Sequence, residues 1–535
     1  MSQNETQVKP TQESQHLETM TVLDEKKMEA GTEETRWTPE EEKKALRKLD
    51  WCLIPLVGSL YLVSYIDRGN IGNAYTAGMG QDWGITSNDY SWIVTAYYIA
   101  YICFHWLILV WKFMPLPLWT FCMAFGWGTA SILQAATHNF AGIVALRVLI
   151  GAFEAGFVPA VALYLTFFYH RREMGLRYGL FISFSPLANC FASALAYGIV
   201  QAKTKIHNWQ LLFIVEGIPT LFLALVALYY LPASPAQCRF LTARQNEIIS
   251  QRAIKGRGED TERKLNFAQV FSAFYDYKNY MQAFIIFCLN TAFGSLPAYL
   301  PTILKDMGYT SVHAQGLSAC PYIAAFVVCV GMSMLSDRVG QRGIFVFVFC
   351  CVGAVGYILL AVIHTTAIRY FATFLVCAGV FPAVALTFTW VTDNQGSSSK
   401  RGAGLAIFGM FGQCGPILGA RLFPKSQGPY YFKGMWVCAG VLLAASLMAL
   451  ALSACLRLQN RHRDRVHGKS DTDHVPADIA EKGDSHPLVP IRPLRAIRSD
   501  VGERYWLSLC WWWRRTILYR LCCSKEMAGV VGVMP

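Results

Sequence analysis

Long apolar segments recur along most of the chain, and short polar segments separate them. A helix that spans a bilayer needs about 20 mainly apolar residues, and twelve segments fit that length. They centre on residues 51–66, 90–110, 116–136, 141–169, 178–200, 210–231, 281–300, 317–336, 344–363, 369–391, 402–421 and 433–456. A polar stretch divides them into two groups of six. The pattern predicts an all-α polytopic membrane protein with twelve transmembrane helices in two six-helix bundles.

The polar segments set the predicted boundaries. Residues 1–48 form a disordered tail with a short amphipathic helix, 49–231 the first bundle, 232–280 a basic linker, 281–456 the second bundle and 457–535 a basic tail. Thr38, Pro39 and Glu41 fit a helix start with a capping box. That helix either leads along the membrane surface into the first span or is simply a solvated charged helix. The stretch WLSLCWWWRRTILYRLCC is too interrupted to span; it either lies in the interface, with Cys522 and Cys523 acylated, or has no role.

Composition agrees with a bilayer as the main solvent. Hydrophobic residues make up 54% of the chain and charged residues 15%, against about 25% charged in soluble domains. The net charge is +12, but the basic residues lie mostly in even-numbered loops and in the C-terminal tail. This positive-inside pattern places those loops and both termini in the cytoplasm, and it does not predict a nucleic-acid partner. The 17 cysteines show no spacing typical of a metal site or a disulfide framework.

An internal repeat supports the division into two halves. AGFVPAVALYL begins at Ala155, and AGVFPAVALTF begins at Ala378, an offset of 223 residues. The same offset pairs Arg177 with Lys400. Parallel repeats about an axis along the membrane normal are one known transporter architecture. The two six-helix bundles are therefore expected to be pseudo-symmetric, with the repeated Gly, Ala and Pro serving helix packing and a local bend.

Two charges in the fourth predicted span are not repeated in the second half. Arg147 and Glu154 are seven residues apart, which is nearly two helical turns, so they share a face about 10 Å apart. An unpaired charge in hydrocarbon costs at least ~2.5 kcal/mol, so each needs a wet cavity or a partner on another helix. Gly151 lies between them and leaves room for a ligand or for a neighbouring backbone. The two charges either take part in transport or only fix the packing.

A loop motif follows the eighth span. The sequence LSDRVGQR resembles the motif G-x-x-x-D-R-x-G-x-R of the major facilitator superfamily, with Ser333 at the first glycine position. In that superfamily the loop is a charge cluster that holds one face of the transporter closed. The resemblance implies the major facilitator fold and a conformational gate formed by Asp337, Arg338, Gly340 and Arg342.

Three further stretches resemble a narrower family. YIDRGNIGNA, RVLIGAFEAGFVP and TWVTDNQGSSSKRGAGLAIFG, with the later GPYYFKG, are together similar to the anion:cation symporter family and its fungal allantoate-permease-like group. The resemblance covers about residues 45–456. It implies transport of small organic anions or vitamin-like carboxylates, commonly with protons, and functional roles for Arg68, Arg147 and Glu154. The seventh span lacks the arginine that carboxylate-carrying relatives use there.

We therefore expect Arg68 and Arg147 to attract an anionic substrate, and Glu154 and Asp67 to serve proton coupling. Asp67 and Arg68 are adjacent, so one faces the cavity while the other caps or pairs; an interfacial pair is the alternative. The side chains of Asn290, Trp390 and Gln413 are the remaining candidates for substrate contact. Glu216 is given a structural role, and the lone His105 is given none.

No ATP-binding loop and no nucleophile, metal or cofactor constellation is present in the sequence, so an enzyme is not predicted. The predicted function is proton-coupled symport by alternating access. Its partners are a small-molecule substrate, a proton and the lipid bilayer, and the protein is expected to be a monomer in the plasma membrane. The alternatives are an exporter of a metabolite or drug, and a nutrient sensor that does not transport.

Overall fold

The structure is a computed structural model that describes residues 37–107, 114–169, 173–201, 205–257, 267–394 and 398–467. The α-helices of these ranges are α1 Pro39–Ala74, α2 Gly80–Asp82, α3 Ser87–Cys103, α4 Leu116–Leu133, α5 Phe140–Glu154, α6 Phe157–Leu165, α7 Met174–Gln201, α8 Asn208–Tyr230, α9 Ala243–Arg257, α10 Phe267–Phe274, α11 Tyr277–Asp306, α12 Ser311–Val339, α13 Arg342–Val362, α14 Thr366–Asp393, α15 Ser398–Gly419 and α16 Phe432–His467. No β-strand occurs in the described part of the chain, which confirms the all-α fold. The interface and acylation hypotheses for the C-terminal tail concern residues outside these ranges.

The described helices match the predicted spans closely. Eleven of the helical segments in these ranges are long and apolar enough to cross a bilayer. The second predicted span corresponds to α3, which has 17 residues, and its predicted end falls in residues 108–113, outside the described ranges. Large apolar side chains such as Phe222 and Leu447 are 66% and 65% exposed. Such surfaces are expected where helices face lipid, so the protein is a multi-pass membrane protein.

The first helix begins at the predicted capping box. The backbone N–H of Glu41 donates to Thr38 Oγ1 at 3.3 Å, and the N–H of Thr38 donates to Glu41 Oε2 at 3.0 Å. Pro39 is the first helical residue, where its missing N–H costs nothing. Because α1 then runs unbroken into the first span, the expected short amphipathic helix is the beginning of α1 and not a separate element.

The fourth predicted span is two helices with Pro159 just after the break, whereas the matching Pro382 leaves α14 continuous. In a continuous helix the Ala155 carbonyl would accept from the backbone N–H of residue 159, but Pro159 has none. Helix α5 ends at Glu154 and α6 begins at Phe157, as expected for a local bend. Gly151 serves a neighbouring backbone, because an added Cβ would lie 2.3 Å from the carbonyl oxygen of Tyr97 on α3.

The two halves repeat one packing pattern. In the first half, α1 packs against α7 and α8, α3 against α5, and α4 against α5 and α8. In the second half, α11 packs against α15 and α16, α12 against α14, and α13 against α14 and α16. Each of these contacts recurs six spans later, which agrees with the pseudo-symmetry expected from the sequence repeat.

The halves meet along α7 with α12 and α14, α1 with α11, and α3 with α15. We call the side that holds the start of α1 and the end of α16 the terminal side. On the opposite side the hydroxyl of Tyr90 donates to the Ala298 carbonyl at 3.0 Å. On the terminal side Gly175 lies so close to α13 that an added Cβ would be 2.1 Å from Arg342 Nη2. The halves therefore touch on both sides of the central region.

Candidate functional site

A buried ion pair joins α1 and α5 at the centre of the first half. Arg68 Nη2 lies 2.7 Å from Glu154 Oε1, and the Glu154 side chain is fully buried. The same carboxylate accepts hydrogen bonds from the hydroxyls of Ser64 and Tyr97, the latter at 2.7 Å to Oε2. A buried carboxylate is stable only when charge and hydrogen bonds satisfy it together, and this one is fully satisfied.

Aromatic rings surround the guanidinium of Arg68. Its Cζ lies 5.2 Å from the ring centre of Tyr65, 5.3 Å from Tyr97 and 5.6 Å from Tyr101. Ring faces attract cations, so these contacts hold Arg68 away from lipid and in place. The tyrosines and Ser64 were not among the predicted site residues. Their spacing was a usable signal, since Tyr97 and Tyr101, like Ser64 and Arg68, are four residues apart on one helical face.

Arg147 approaches the same helix from the other direction. Its Nη1 donates to the carbonyl oxygens of Asp67 at 3.4 Å and Arg68 at 3.2 Å. Its Nε and Nη2 have no hydrogen-bond partner among the described residues, although the side chain is only 1% exposed. Arg147 and Arg68 line one small cavity together with Tyr98 and Pro297. Both arginines therefore line a common space, and both keep unused donors among the described residues, namely Nε of Arg68 and Nε and Nη2 of Arg147.

Asp67 points away from that space. Its Oδ1 accepts from the Ser131 hydroxyl at 2.6 Å, and its Oδ2 accepts from the Thr220 hydroxyl at 2.9 Å. These partners lie on α4 and α8, so adjacent residues of α1 serve opposite faces, as expected. Glu216 lies four residues before Thr220 on α8, and neither of its oxygens has a partner in the part of the chain that the structure describes.

A second cavity continues from Arg68 between the two halves. Its lining residues are Tyr61, Arg68, Tyr98, Tyr101, His105, Val158, Pro159, Tyr178, Asn290, Phe293, Gly294, Phe388, Leu405, Gly409, Gln413 and Pro416. Its volume is about 30 Å³, whereas a benzene-sized ligand occupies a cavity of about 150 Å³. A ring-sized substrate therefore needs these side chains to move apart. Of the residues predicted to contact substrate from the second half, Asn290 and Gln413 lie in this cavity.

Trp390 does not lie among those lining residues. Its ring packs on the first turn of α13, where an added Cβ on Gly343 would come within 2.9 Å of it. That position is on the terminal side, next to the loop motif. The direction of a side chain on α14 depends on how the helix is rotated in the bundle, which the apolar pattern around Trp390 does not reveal.

The loop motif forms a contact between the halves. Asp337 Oδ1 lies 2.6 Å from Arg342 Nη2, and Gly340 ends α12 with a φ of 69°, a conformation that favours glycine. The Arg338 side chain is exposed on the terminal side. The side chains of Asp337 and Arg342 pack closely against Gly175 at the start of α7. The motif residues thus lie where a gate on this face would have to lie.

Where the motif has Ser333 in place of glycine, the facing helix supplies the space. An added Cβ on Gly179 of α7 would lie 2.7 Å from Ser333 Oγ. The two helices therefore approach closely at Ser333, because α7 carries a glycine opposite it.

We expect Gly175→Val to open the terminal side. The added carbons would collide with Arg342 and Asp337, and overpacking of this kind costs about 1–3 kcal/mol. Hydrogen–deuterium exchange should rise about tenfold in peptides 173–180 and 333–343. Gly198→Val on the same helix is the matched control, because nothing lies within 4 Å of its added Cβ. Equal exchange in the two variants would show that Gly175 is not part of a closed contact.

The repeat also places matching ion pairs on the terminal side. Arg177 on α7 binds Asp50 on α1 with Nε and Nη2, at 2.7 and 2.9 Å. Its counterpart Lys400 on α15 binds Asp276, which caps α11, at 2.8 Å. Burial raises the pKa of Asp276, but Lys278 and Lys400 outweigh it and hold that pKa below its usual value. In each half an ion pair therefore joins the first spanning helix to the fifth, which are α1 and α7 in the first half and α11 and α15 in the second.

Two related six-helix bundles with a cavity between them, and buried charges in one bundle beside that cavity, are typical of membrane transporters. The chain belongs to the Major Facilitator Superfamily, whose family model matches residues 57–420. It is therefore a secondary transporter and not an enzyme.

Individual relatives agree with that class. The chain is 30% identical over 441 residues to the "Major facilitator-type transporter hxnP" of Emericella nidulans, covering 80% of this chain and 88% of that protein. It is 30% identical over 395 residues to the "High-affinity nicotinic acid transporter" of Saccharomyces cerevisiae, covering 74% of each. The solved structure of the proton:xylose symporter XylE superposes with a TM-score of 0.60 at 13% identity, over 74% of this chain and 95% of that one. That last likeness shows the fold alone.

Proposed function

We propose that this protein is a proton-coupled symporter of small organic anions, and that the anion binds between Arg68 and Arg147. The observation that carries the proposal is Arg147, whose Nε and Nη2 are buried beside a cavity without a hydrogen-bond partner in the described ranges. Guanidinium groups bind carboxylates through paired N–H donors. A carboxylate in this cavity would use the donors that Arg147 leaves free.

Charge balance links the anion to a proton. Arg68 and Arg147 carry two positive charges, and Glu154 and Asp67 carry two negative charges when both are ionised. Glu216, buried without a partner among the described residues, is counted as uncharged in this balance. A proton on one carboxyl leaves one positive charge in excess, which is costly in a buried site. A monovalent anion removes that excess. One proton and one carboxylate therefore enter together at the lowest electrostatic cost.

Glu154 is the carboxyl best placed to couple binding of the anion to binding of the proton. It already holds Arg68 at 2.7 Å, so a substrate carboxylate must compete with it for the same guanidinium. Protonation of Glu154 weakens that pair and frees Arg68 for the substrate. Asp67 keeps its two hydroxyl partners on α4 and α8, and we assign it a supporting role in the charge balance.

The relatives guide the choice of substrate. One of them is named a nicotinic acid transporter, and nicotinate is a small monocarboxylate. The motifs of the anion:cation symporter family and its allantoate-permease-like group support the same class. In the absence of an arginine on α11, Asn290 and Gln413 supply polar contacts from the second half. We place the protein in the plasma membrane as a monomer, with the terminal side in the cytoplasm and the Asp337–Arg342 contact as its gate.

Uptake into proteoliposomes tests the proposal. With the outside acidic, we expect accumulation of nicotinate, pantothenate or allantoate above the level in vesicles without protein. Nicotinamide, which has the same ring without the charge, should not accumulate. Accumulation that ignores the pH gradient would contradict proton coupling. Binding of the carboxylates without any accumulation would instead favour a nutrient sensor.

A further inference from the structure

A buried histidine in the central cavity is the strongest feature that the proposed function leaves unused. His105 follows the end of α3 and is 2% exposed. Neither ring nitrogen has a hydrogen-bond partner among the residues that the structure describes. A buried polar group without a partner carries a free-energy cost, so such a group is expected to meet a partner in some functional state.

The backbone beside His105 explains its orientation. Its ring lies next to the Ala155 carbonyl, although no hydrogen bond of normal geometry joins them. That carbonyl is free of a helical donor because Pro159 has no N–H. A neutral histidine has one N–H donor and one acceptor nitrogen. Because the Ala155 carbonyl does not hold the N–H in a hydrogen bond, that N–H is available to donate to an acceptor atom of a ligand.

The cavity around His105 has the other features of a small-molecule site. It holds Arg68, the flat rings of Tyr98 and Phe293, and the amide of Gln413. His105 also touches the second half, since an added Cβ on Gly409 of α15 would lie 2.6 Å from its Nε2. A charged group, aromatic faces and a few neutral polar atoms are the usual composition of a ligand pocket.

Resting on the proposed function, we propose that His105 is a substrate-contacting residue. Its N–H donates to an uncharged acceptor atom, such as a ring nitrogen, on a heteroaromatic carboxylate whose carboxylate group binds the arginines. The tyrosine and phenylalanine rings accommodate the flat ring of the substrate. Because His105 also packs against Gly409 of the second half, a substrate bound to His105 lies at the contact between the two halves.

Competition between two matched acids tests this assignment. Nicotinate and benzoate share size and charge, but only nicotinate has a ring nitrogen. In the wild type we expect nicotinate to be preferred, by about 10- to 100-fold, because benzoate would leave the histidine unpaired. In His105→Phe the KM for nicotinate should rise until the preference is lost, while uptake of benzoate persists. His105→Gln should restore part of the preference, and His138→Phe in the exposed loop before α5 should leave it unchanged.

The outcomes separate the two proposals. An unchanged nicotinate preference in His105→Phe, or a wild type that transports carboxylates but does not distinguish these two, overturns the role of His105. A wild type that accumulates no carboxylate under a pH gradient overturns the proposed function itself. Because His105→Phe risks misfolding, thermal unfolding of each variant with and without nicotinate is measured first, and His105→Gln then carries the test.

Discussion

Glu154→Gln should abolish accumulation driven by a pH gradient while leaving exchange of substrate intact. A gradient of two pH units supplies about 2.7 kcal/mol per proton, enough for about 100-fold accumulation at one proton per anion. Glutamine keeps the shape of the side chain and one oxygen for Ser64 or Tyr97, but it cannot ionise. The accumulation ratio should therefore fall to about 1. Counterflow with substrate on both sides should persist and lose its dependence on pH, because Arg68 is free at every pH.

Glu216→Gln is the matched control for this experiment. It makes the same change at another buried glutamate, one that has no hydrogen-bond partner in the described residues. We expect it to accumulate substrate as the wild type does. Full gradient-driven accumulation in Glu154→Gln would remove Glu154 from proton coupling and leave its pair with Arg68 a packing contact.

Arg68→Gln should be the most destabilising single change in the site. It leaves the Glu154 carboxylate buried without its cation, and breaking a buried pair in this way costs about 3–5 kcal/mol. Thermal unfolding in detergent should show the loss. The double variant Arg68→Gln with Glu154→Gln should recover most of the stability, because no unpaired charge remains, yet it should not transport.

Two results would contradict that expectation. If Arg68→Gln were as stable as the wild type, the ion pair would not be buried in the working protein. If the double variant transported carboxylates at the wild-type rate, the anion would not need Arg68. In either case Arg147 alone would have to account for substrate recognition.

The fold was predictable because hydropathy is a local property. Each span is recognisable from about 20 consecutive, mainly apolar residues. A repeat of eleven residues, together with the pairing of Arg177 and Lys400, was enough to indicate two related halves. The structure confirms the spans within the described ranges and shows the same contacts in each half. Residues 108–113, at the end of the second predicted span, lie outside the described ranges.

The site was only partly predictable because partners depend on how helices are rotated. Arg147 and Glu154 were conspicuous as charges in an apolar helix, and both meet α1, as the cost of an unpaired charge requires. Nothing local indicated that Arg68, 86 residues from Glu154, would be the partner of that carboxylate. For the same reason Trp390 was placed in the cavity and lies elsewhere, whereas His105 was given no role and lies inside it.

The central claim is that an anion and a proton enter together through Arg68 and Glu154. Its most direct test is the external pH of a weakly buffered proteoliposome suspension after nicotinate is added, with vesicles without protein subtracted. We predict alkalinisation that follows nicotinate entry in the wild type and is absent in Glu154→Gln. Nicotinate entry through the wild-type protein without a pH change, or equal alkalinisation in the variant, would contradict the account.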